Sequence, residues 1–240
     1  MPSRDYLARF MSMADLEDCR PENLVWREHH GFGAWWEEAW IRRPEIAYFF
    51  EDCSGVEELC EKSGFIQQMC YRSMFEEVRR QWPHCSMALN WCLNEPWPTC
   101  ANNSLISWPA EPRPAYYAVK EALRPQMVSL GIERQLWYSG ESFQAEIWIV
   151  NDSLERVPGS RVKVSYSFGA SENIWGTLHF SDVPAQCNQK CGVMVVPLTQ
   201  DWSGTFHVFL RVDNHVAMDS TYTYLCRRKQ SEKKSGLLNM

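Results

Sequence analysis

The chain is 240 residues long, with 45% hydrophobic, 13% aromatic and 22% charged residues and a net charge of −6. That apolar content is too high for a disordered chain, and no long uncharged apolar run is present for a membrane helix. A net negative chain lacks the basic face that phosphate neutralisation needs, which argues against a nucleic-acid partner.

Near the start the periodicity is helical. Ser3 is placed to cap a short helix ending at about Phe10. The run from Met1 to Tyr6 has no basic stretch followed by an apolar one, so it does not read as a secretion signal. Ser54 and Glu57 form a capping-box pattern that opens a further helical stretch. Phe65, Ile66, Met69, Cys70, Phe75, Val78 and Trp82 then recur at helical spacing, Glu76 and Arg80 are predicted to pair on the wet side, and Pro83 stops the helix. The run from Cys85 to Leu93 is nearly all apolar and flanked by prolines, which reads as a strand buried on both faces, as in a parallel sheet. A loop holding Pro96, Pro98, Pro109 and Pro112 comes next. Pro114 opens a helix through Ala118, Val119, Ala122 and Leu123, closed by Arg124-Pro125. Helix, buried strand, loop and helix make one step of an α/β wheel.

Beyond Pro125 the period falls to two. Phe143, Ala145, Ile147 and Ile149 alternate with Gln144, Glu146, Trp148 and Val150. Val162, Val164, Tyr166 and Phe168 alternate with Lys163, Ser165 and Ser167. Phe206, Val208, Leu210 and Val212 alternate with His207, Phe209 and Arg211, and Tyr222 and Tyr224 with Thr221 and Thr223. Turn signals at Asn151-Asp-Ser, Pro158-Gly, Gly169, Ser203-Gly and Asp213-Asn separate the runs, and about seven strands of this kind predict an antiparallel β-sandwich. The tail from Arg227 is charged and predicted to be disordered.

Ten cysteines are present. They include no C-x-x-C pair, and nothing completes Cys187-Asn-Gln-Lys-Cys191 to zinc spacing; His29-His30 is equally isolated. They read as reduced, partly buried thiols, with a Cys187–Cys191 hairpin bridge as the alternative, and a reducing, cytoplasmic location is the expectation. No metal or cofactor is called for. Twelve tryptophans are more than packing usually requires. Trp26, Trp35, Trp36, Trp40, Trp82, Trp91, Trp97 and Trp108 precede Pro109, and flat exposed indoles suit ligands with apolar faces, sugars among them.

Trp91-Cys-Leu-Asn-Glu-Pro-Trp-Pro98 is the most informative stretch. It lies at the end of the predicted buried strand, the edge at which barrels build their sites. An indole there can cover the C–H face of a sugar ring while Asn94 and Glu95 hydrogen-bond its hydroxyls; a rigid loop of tryptophan and proline is the plainer reading of the same residues. Glu95 is a poor candidate for a general acid. A retaining glycosidase needs two carboxyls about 5–5.5 Å apart, and Glu111, Glu121 and Glu133 fall in a loop, a helix and a linker-like stretch.

Ala88-Leu-Asn-Trp-Cys-Leu-Asn-Glu-Pro-Trp-Pro98, Ser107-Trp-Pro and Arg113-Pro-Ala-Tyr-Tyr-Ala-Val-Lys120 with Arg124-Pro125 together resemble glycoside hydrolase family 2, especially its β-mannosidase and exo-glucosaminidase-like members. Met1-Pro-Ser with Leu7 and Phe10, and Val25-Trp-Arg-Glu-His-His30, are similar to the family's stretch just after the nucleophile strand. The resemblance implies an α/β plus all-β chain: a C-terminal fragment of a (β/α)8 barrel over 1–126, an immunoglobulin-like antiparallel β-sandwich over 127–226, and a disordered charged tail over 227–240. By the same resemblance Trp91 is the indole platform under the sugar, and Asn94, Glu95 and Trp97 line that pocket, Glu95 standing where many relatives carry Asp. The family's acid/base and nucleophile motifs have no counterpart, so no catalytic residue is assigned. The expectation is a C-terminal portion of a retaining β-glycosidase, inactive alone, whose partners are a β-glycoside and the N-terminal part of the same enzyme. The alternative is a non-catalytic carbohydrate-binding or protein-interaction module using exposed Trp137, Trp148, Trp175 and Trp202 of the sandwich; Trp148 lies in an alternating strand and reads better as packing between layers.

Overall fold

The computed structural model describes residues 1–33, 41, 43–50, 53–101, 103–199 and 202–229, and the chain divides between Pro125 and Gln126 into two compact units. Trp35, Trp36, Trp40 and the charged tail beyond Lys229 lie outside the described residues.

The first unit opens on short capped helices. Ser3 Oγ accepts from the Tyr6 N–H at the start of α1 (Arg4–Leu7), Ser12 does the same for Asp15 in α2 (Met13–Glu17), and Asn23 caps α3 (Leu24–Glu28). Helices this short gain little from their own hydrogen bonds, so tertiary packing must hold them. Leu7, Leu16 and Trp26 are fully buried in one cluster with Ile41 and Leu59, and the Trp26 indole N–H donates to Asp15 O at 2.6 Å. Next come α4 (Arg43–Phe50) and α5 (Val56–Arg80). The expected Ser54–Glu57 capping box does not form: Gly55 is the N-cap of α5 with no side-chain cap bond, and the N–H and hydroxyl of Ser54 instead both donate to Glu58 Oε2 at 2.6 Å. A second expectation is corrected on the same helix. Glu76 and Arg80 do pair, at 3.5 Å, but not on a wet side; Glu76 is buried, with Arg72 Nε at 2.7 Å from its other oxygen.

Two residues per strand form the hairpin β1 (Ile106–Ser107) and β2 (Glu111–Pro112), which leads into α6 (Pro114–Ala122) with proline in its first turn. Arg79 of α5 donates to Ala122 O and, at 2.7 Å, to Arg124 O, satisfying carbonyls that the end of α6 leaves open. The segment from Cys85 to Leu93, expected to be a doubly buried strand, belongs to no ladder among the described residues; Asn94 alone bridges Ile106 in parallel. Met87, Leu89, Trp91 and Leu93 are exposed instead of buried. The apolar run is real, but a strand exists only where a neighbour supplies the other half of its hydrogen bonds.

The second unit holds β3 (Gln126–Gly131), β4 (Leu136–Tyr138), β5 (Ser142–Asn151), β6 (Ser160–Phe168), β7 (Ser171–Phe180), β8 (Cys187–Pro197), β9 (Gly204–Val212) and β10 (Ser220–Arg227). They form a five-stranded sheet in the order β4-β10-β9-β6-β7 and a three-stranded sheet β3-β5-β8, antiparallel except for β10 with β4. Residues of both sheets share one core: Phe143, Ile147 and Ile149 from β5, Val162 from β6, Met194 from β8, Phe206 and Leu210 from β9. The Phe143 ring stands 5.0 Å from Trp137, 5.0 Å from Phe206 and 5.2 Å from Tyr224. Cys187 and Cys191 lie four residues apart on one strand, β8, which rules out the hairpin bridge. Four residues of strand span about 13 Å, well beyond the reach of a disulfide.

Phe143→Ala empties the centre of the aromatic cluster and should lower stability by about 3–5 kcal/mol in urea unfolding. At α5, the Lys62 ammonium and the Ser54 donors hold the Glu58 carboxyl down at about 2. A carboxyl lowered on folding stabilises above its ordinary pKa and ceases to as pH falls toward 2. Glu58→Gln should therefore flatten the acid limb of the unfolding curve over that window, less so at high salt because the site is exposed.

Candidate functional site

Trp91 lies near the end of the Cys85–Leu93 segment, and Asn94, Glu95 and Trp97 occupy the loop between that segment and the β1–β2 hairpin. Leu93 and Glu95 fasten it to β1: Ile106 N–H donates to Leu93 O at 2.9 Å and Glu95 N–H to Ile106 O at 2.9 Å. With the backbone fixed there, successive side chains point to opposite sides. Glu95 turns inward and is only 6% exposed, whereas Asn94 and Pro96 are exposed.

Inside, Glu95 meets Arg113, the residue just before α6. Arg113 Nη2 stands 3.2 Å from Glu95 Oε1, Nε donates to Ser107 Oγ at 2.8 Å, and Nη1 donates to Ala101 O at 2.7 Å. Both partners are buried. Burial holds the Arg113 guanidinium below its ordinary pKa, and the adjacent Glu95 works against that shift. Among the described residues Glu95 Oε2 accepts nothing, and the buried Tyr6 hydroxyl and Thr99 Oγ1 have no hydrogen-bond partner. Tyr6 feels both Arg113 and Glu95, and burial raises its phenol pKa. One wall of the site is therefore a charge-compensated carboxylate with an oxygen to spare.

Outside, the indoles are open. Trp91 is 79% exposed and no ring contacts it among the described residues, while Trp97 is 36% exposed between His29 and His30. The Asn94 amide reaches only its neighbour's carbonyl, Glu95 O, at 3.4 Å. The fold thus joins Glu95 to Arg113 and Trp97 to the two histidines; it gives Trp91 and Asn94 no such partner. Arg113, His29 and His30 stand in recognisable stretches of sequence, yet nothing in the spacing assigns them these contacts. Cysteine chemistry is remote: burial pushes the Cys60 thiol up to about 12 and raises Cys100 as well, leaving both protonated. Among the described residues no three His, Cys, Asp or Glu are grouped to hold a metal ion.

The sandwich tryptophans are not the exposed set that a binding face needs. Trp137 is buried, Trp202 packs 4.8 Å from the Phe168 ring, and the Trp148 and Trp175 N–H groups donate to Glu146 Oε2 and Val195 O.

No family model matches the chain. It is 34% identical to β-mannosidase B of Emericella nidulans over 89 residues, 34% of this chain and 10% of that protein. The match to β-mannosidase B of Aspergillus niger is 33% over 96 residues, 37% of this chain and 11% of that protein. These alignments span about a tenth of the curated relatives. Among solved structures, the exo-chitosanase CsxA of Amycolatopsis orientalis superposes with a TM-score of 0.72 at 16% identity, over 93% of this chain and 26% of that one. The chain is therefore similar to the C-terminal portion of glycoside hydrolase family 2 enzymes of the β-mannosidase and exo-chitosanase kind.

Breaking the buried pair from either side should be costly. Glu95→Gln and Arg113→Met each leave a charge without its counter-ion and should each lose about 3–5 kcal/mol in urea unfolding, with the double replacement costing less than their sum.

Proposed function

We propose that this chain is the C-terminal portion of a retaining β-glycosidase of the β-mannosidase type. Residues 1–126 form the closing part of a (β/α)8 barrel and 127–226 an immunoglobulin-like sandwich. Trp91, Asn94, Glu95 and Trp97 form one wall of the sugar subsite, with Trp91 beneath the ring and the spare oxygen of Glu95 accepting a hydroxyl. The carboxylate pair that cleaves the bond comes from another part of the barrel, so this chain alone is inactive.

The observation that carries the reading is the segment from Met87 to Leu93. Every second side chain, Met87, Leu89, Trp91 and Leu93, is apolar and exposed. No backbone N–H from Ser86 to Trp91 finds a backbone carbonyl among the described residues. This is the side-chain pattern of a strand whose ladder is open. Burying such side chains is worth about 1.5–3 kcal/mol each, so a neighbouring barrel strand would be held here by main-chain bonds and apolar contact together. Similarity to β-mannosidases over the matched residues supports the choice of sugar class.

The purified chain should release no p-nitrophenol from aryl β-mannosides. Methyl β-mannoside should bind weakly by saturation-transfer NMR, with affinity falling about threefold to tenfold in Trp91→Ala as the ring contact is lost, and unchanged in Trp175→Ala. Turnover by the chain that Glu95→Gln abolishes would make Glu95 a catalyst and overturn the assignment.

A further inference from the structure

Helix α3 ends in a left-handed turn at a residue that is not glycine. His30 has a φ of 56°. Gly31 N–H returns to Trp26 O at 2.7 Å and His30 N–H to Arg27 O at 3.1 Å, the two bonds of a Schellman ending. Glycine is usual at the left-handed position, because a Cβ there costs about 1–2 kcal/mol. Here the glycine comes one place later, where a Cβ would meet Trp26 Cε3 at 2.8 Å. A strained backbone of this kind persists only where the surrounding structure holds it in place.

Both imidazoles at this turn meet Trp97. The His29 ring lies 5.7 Å from the indole at 29°, with Phe10 behind it at 4.5 Å, and the His30 ring stands 5.1 Å away at 87°. His29 is tied to the same loop twice more: Nδ1 is 2.8 Å from Pro98 O, and its own carbonyl accepts from Cys100 N–H at 2.6 Å. A carbonyl can only accept, so Nδ1 carries the hydrogen. We infer that His29 and His30 are positioning residues for Trp97, holding its indole as a preset platform for the C–H face of a sugar ring. Trp91, with no ring against it among the described residues, adjusts to the ligand, whereas Trp97 is ordered before the ligand arrives, which lowers the entropy cost of binding. The identity of the ligand rests on the sugar-subsite reading; the positioning rests on the geometry alone.

The test measures acrylamide quenching of Trp97, taken as the difference between each chain and its Trp97→Phe counterpart, alongside methyl β-mannoside binding by NMR. His29→Ala and His30→Gly should each raise the Trp97 quenching constant about twofold and weaken mannoside binding about threefold, as lost pre-organisation requires. His29→Phe keeps a ring without the N–H and should restore much of the protection. In His30→Gly the Tm should hold or rise, because glycine suits the left-handed turn; a merely structural histidine would lower it. Unchanged Trp97 quenching in both His29→Ala and His30→Gly, or a loosened Trp97 with undiminished mannoside binding, would overturn the inference. If Trp97 loosens as expected but the wild-type chain binds no mannoside, the sugar reading fails and the positioning role stands.

Discussion

The candidate site depends on a single guanidinium. Arg113 is held just ahead of a helix whose first residue is proline, and from there it reaches back to three stretches of the preceding loop: Glu95, Ala101 and Ser107. A lysine has neither the planar fork nor enough donors in fixed directions to bind all three at once. Burying the charge is expensive, and it is tolerable only because a carboxylate and two further acceptors meet it. The consequence is an inverted loop. Its one carboxylate is paired on the inside while Asn94 and the indoles of Trp91 and Trp97 are presented outward, on a backbone that Arg113 keeps from collapsing over them.

The two units use alternation in opposite ways. In the second unit each central strand uses it in the ordinary sense: Phe143, Ile147 and Phe206 face a shared interior, and Glu146, Lys163 and Arg211 face water. In the first unit the same alternation, over Met87, Leu89, Trp91 and Leu93, faces solvent. Apolar side chains set two apart, with open main-chain groups between them, gain by pairing with a strand, whereas a small ligand could satisfy only one or two of them. On the proposed reading, sugar contact falls to Trp91 and the loop that follows it, and strand contact to the rest of the segment, Met87, Leu89 and Leu93.

Much of this was legible in the sequence where periodicity and burial coincide. β5, β6, β9 and β10 alternate cleanly because each has one face in the core. β7 and β8 do not stand out: β7 is exposed on both faces along much of its length, and the β5–β8 ladder shifts register between Ile147 and Trp148, which breaks the count of two. Glu76 shows a different limit. Its i,i+4 spacing to Arg80 reveals the pair, but nothing local says that the pair is buried beside Arg72. The Cys85–Leu93 run shows a third: composition reports what a strand would bury, not whether a neighbour is there to bury it. At the site, the aromatic residues were readable from their surplus, whereas the Arg113–Glu95 contact spans eighteen residues and exists only once the hairpin has folded back.

The indole N–H groups sort most of the tryptophans on physical grounds; buried Trp137, whose Nε1 has no hydrogen-bond partner among the described residues, is the exception. Trp26, Trp148 and Trp175 have each found an acceptor: a backbone carbonyl, a carboxylate and a backbone carbonyl in turn. Those rings are committed to the fold, since a buried or half-buried indole donor without an acceptor is costly. Among the described residues Trp82, Trp91, Trp97 and Trp108 are exposed, so water can satisfy their donors and a ligand hydroxyl can replace that water at little cost. A ring that offers an apolar face and an uncommitted donor is matched to a molecule carrying C–H faces and hydroxyls together. All of these rings lie in the first unit, and Trp91, Trp97 and Trp108 lie within or beside the loop that Arg113 holds. The proposed sugar subsite therefore belongs to this loop, because the sandwich tryptophans are occupied with their own core and strands and have little left to offer a ligand.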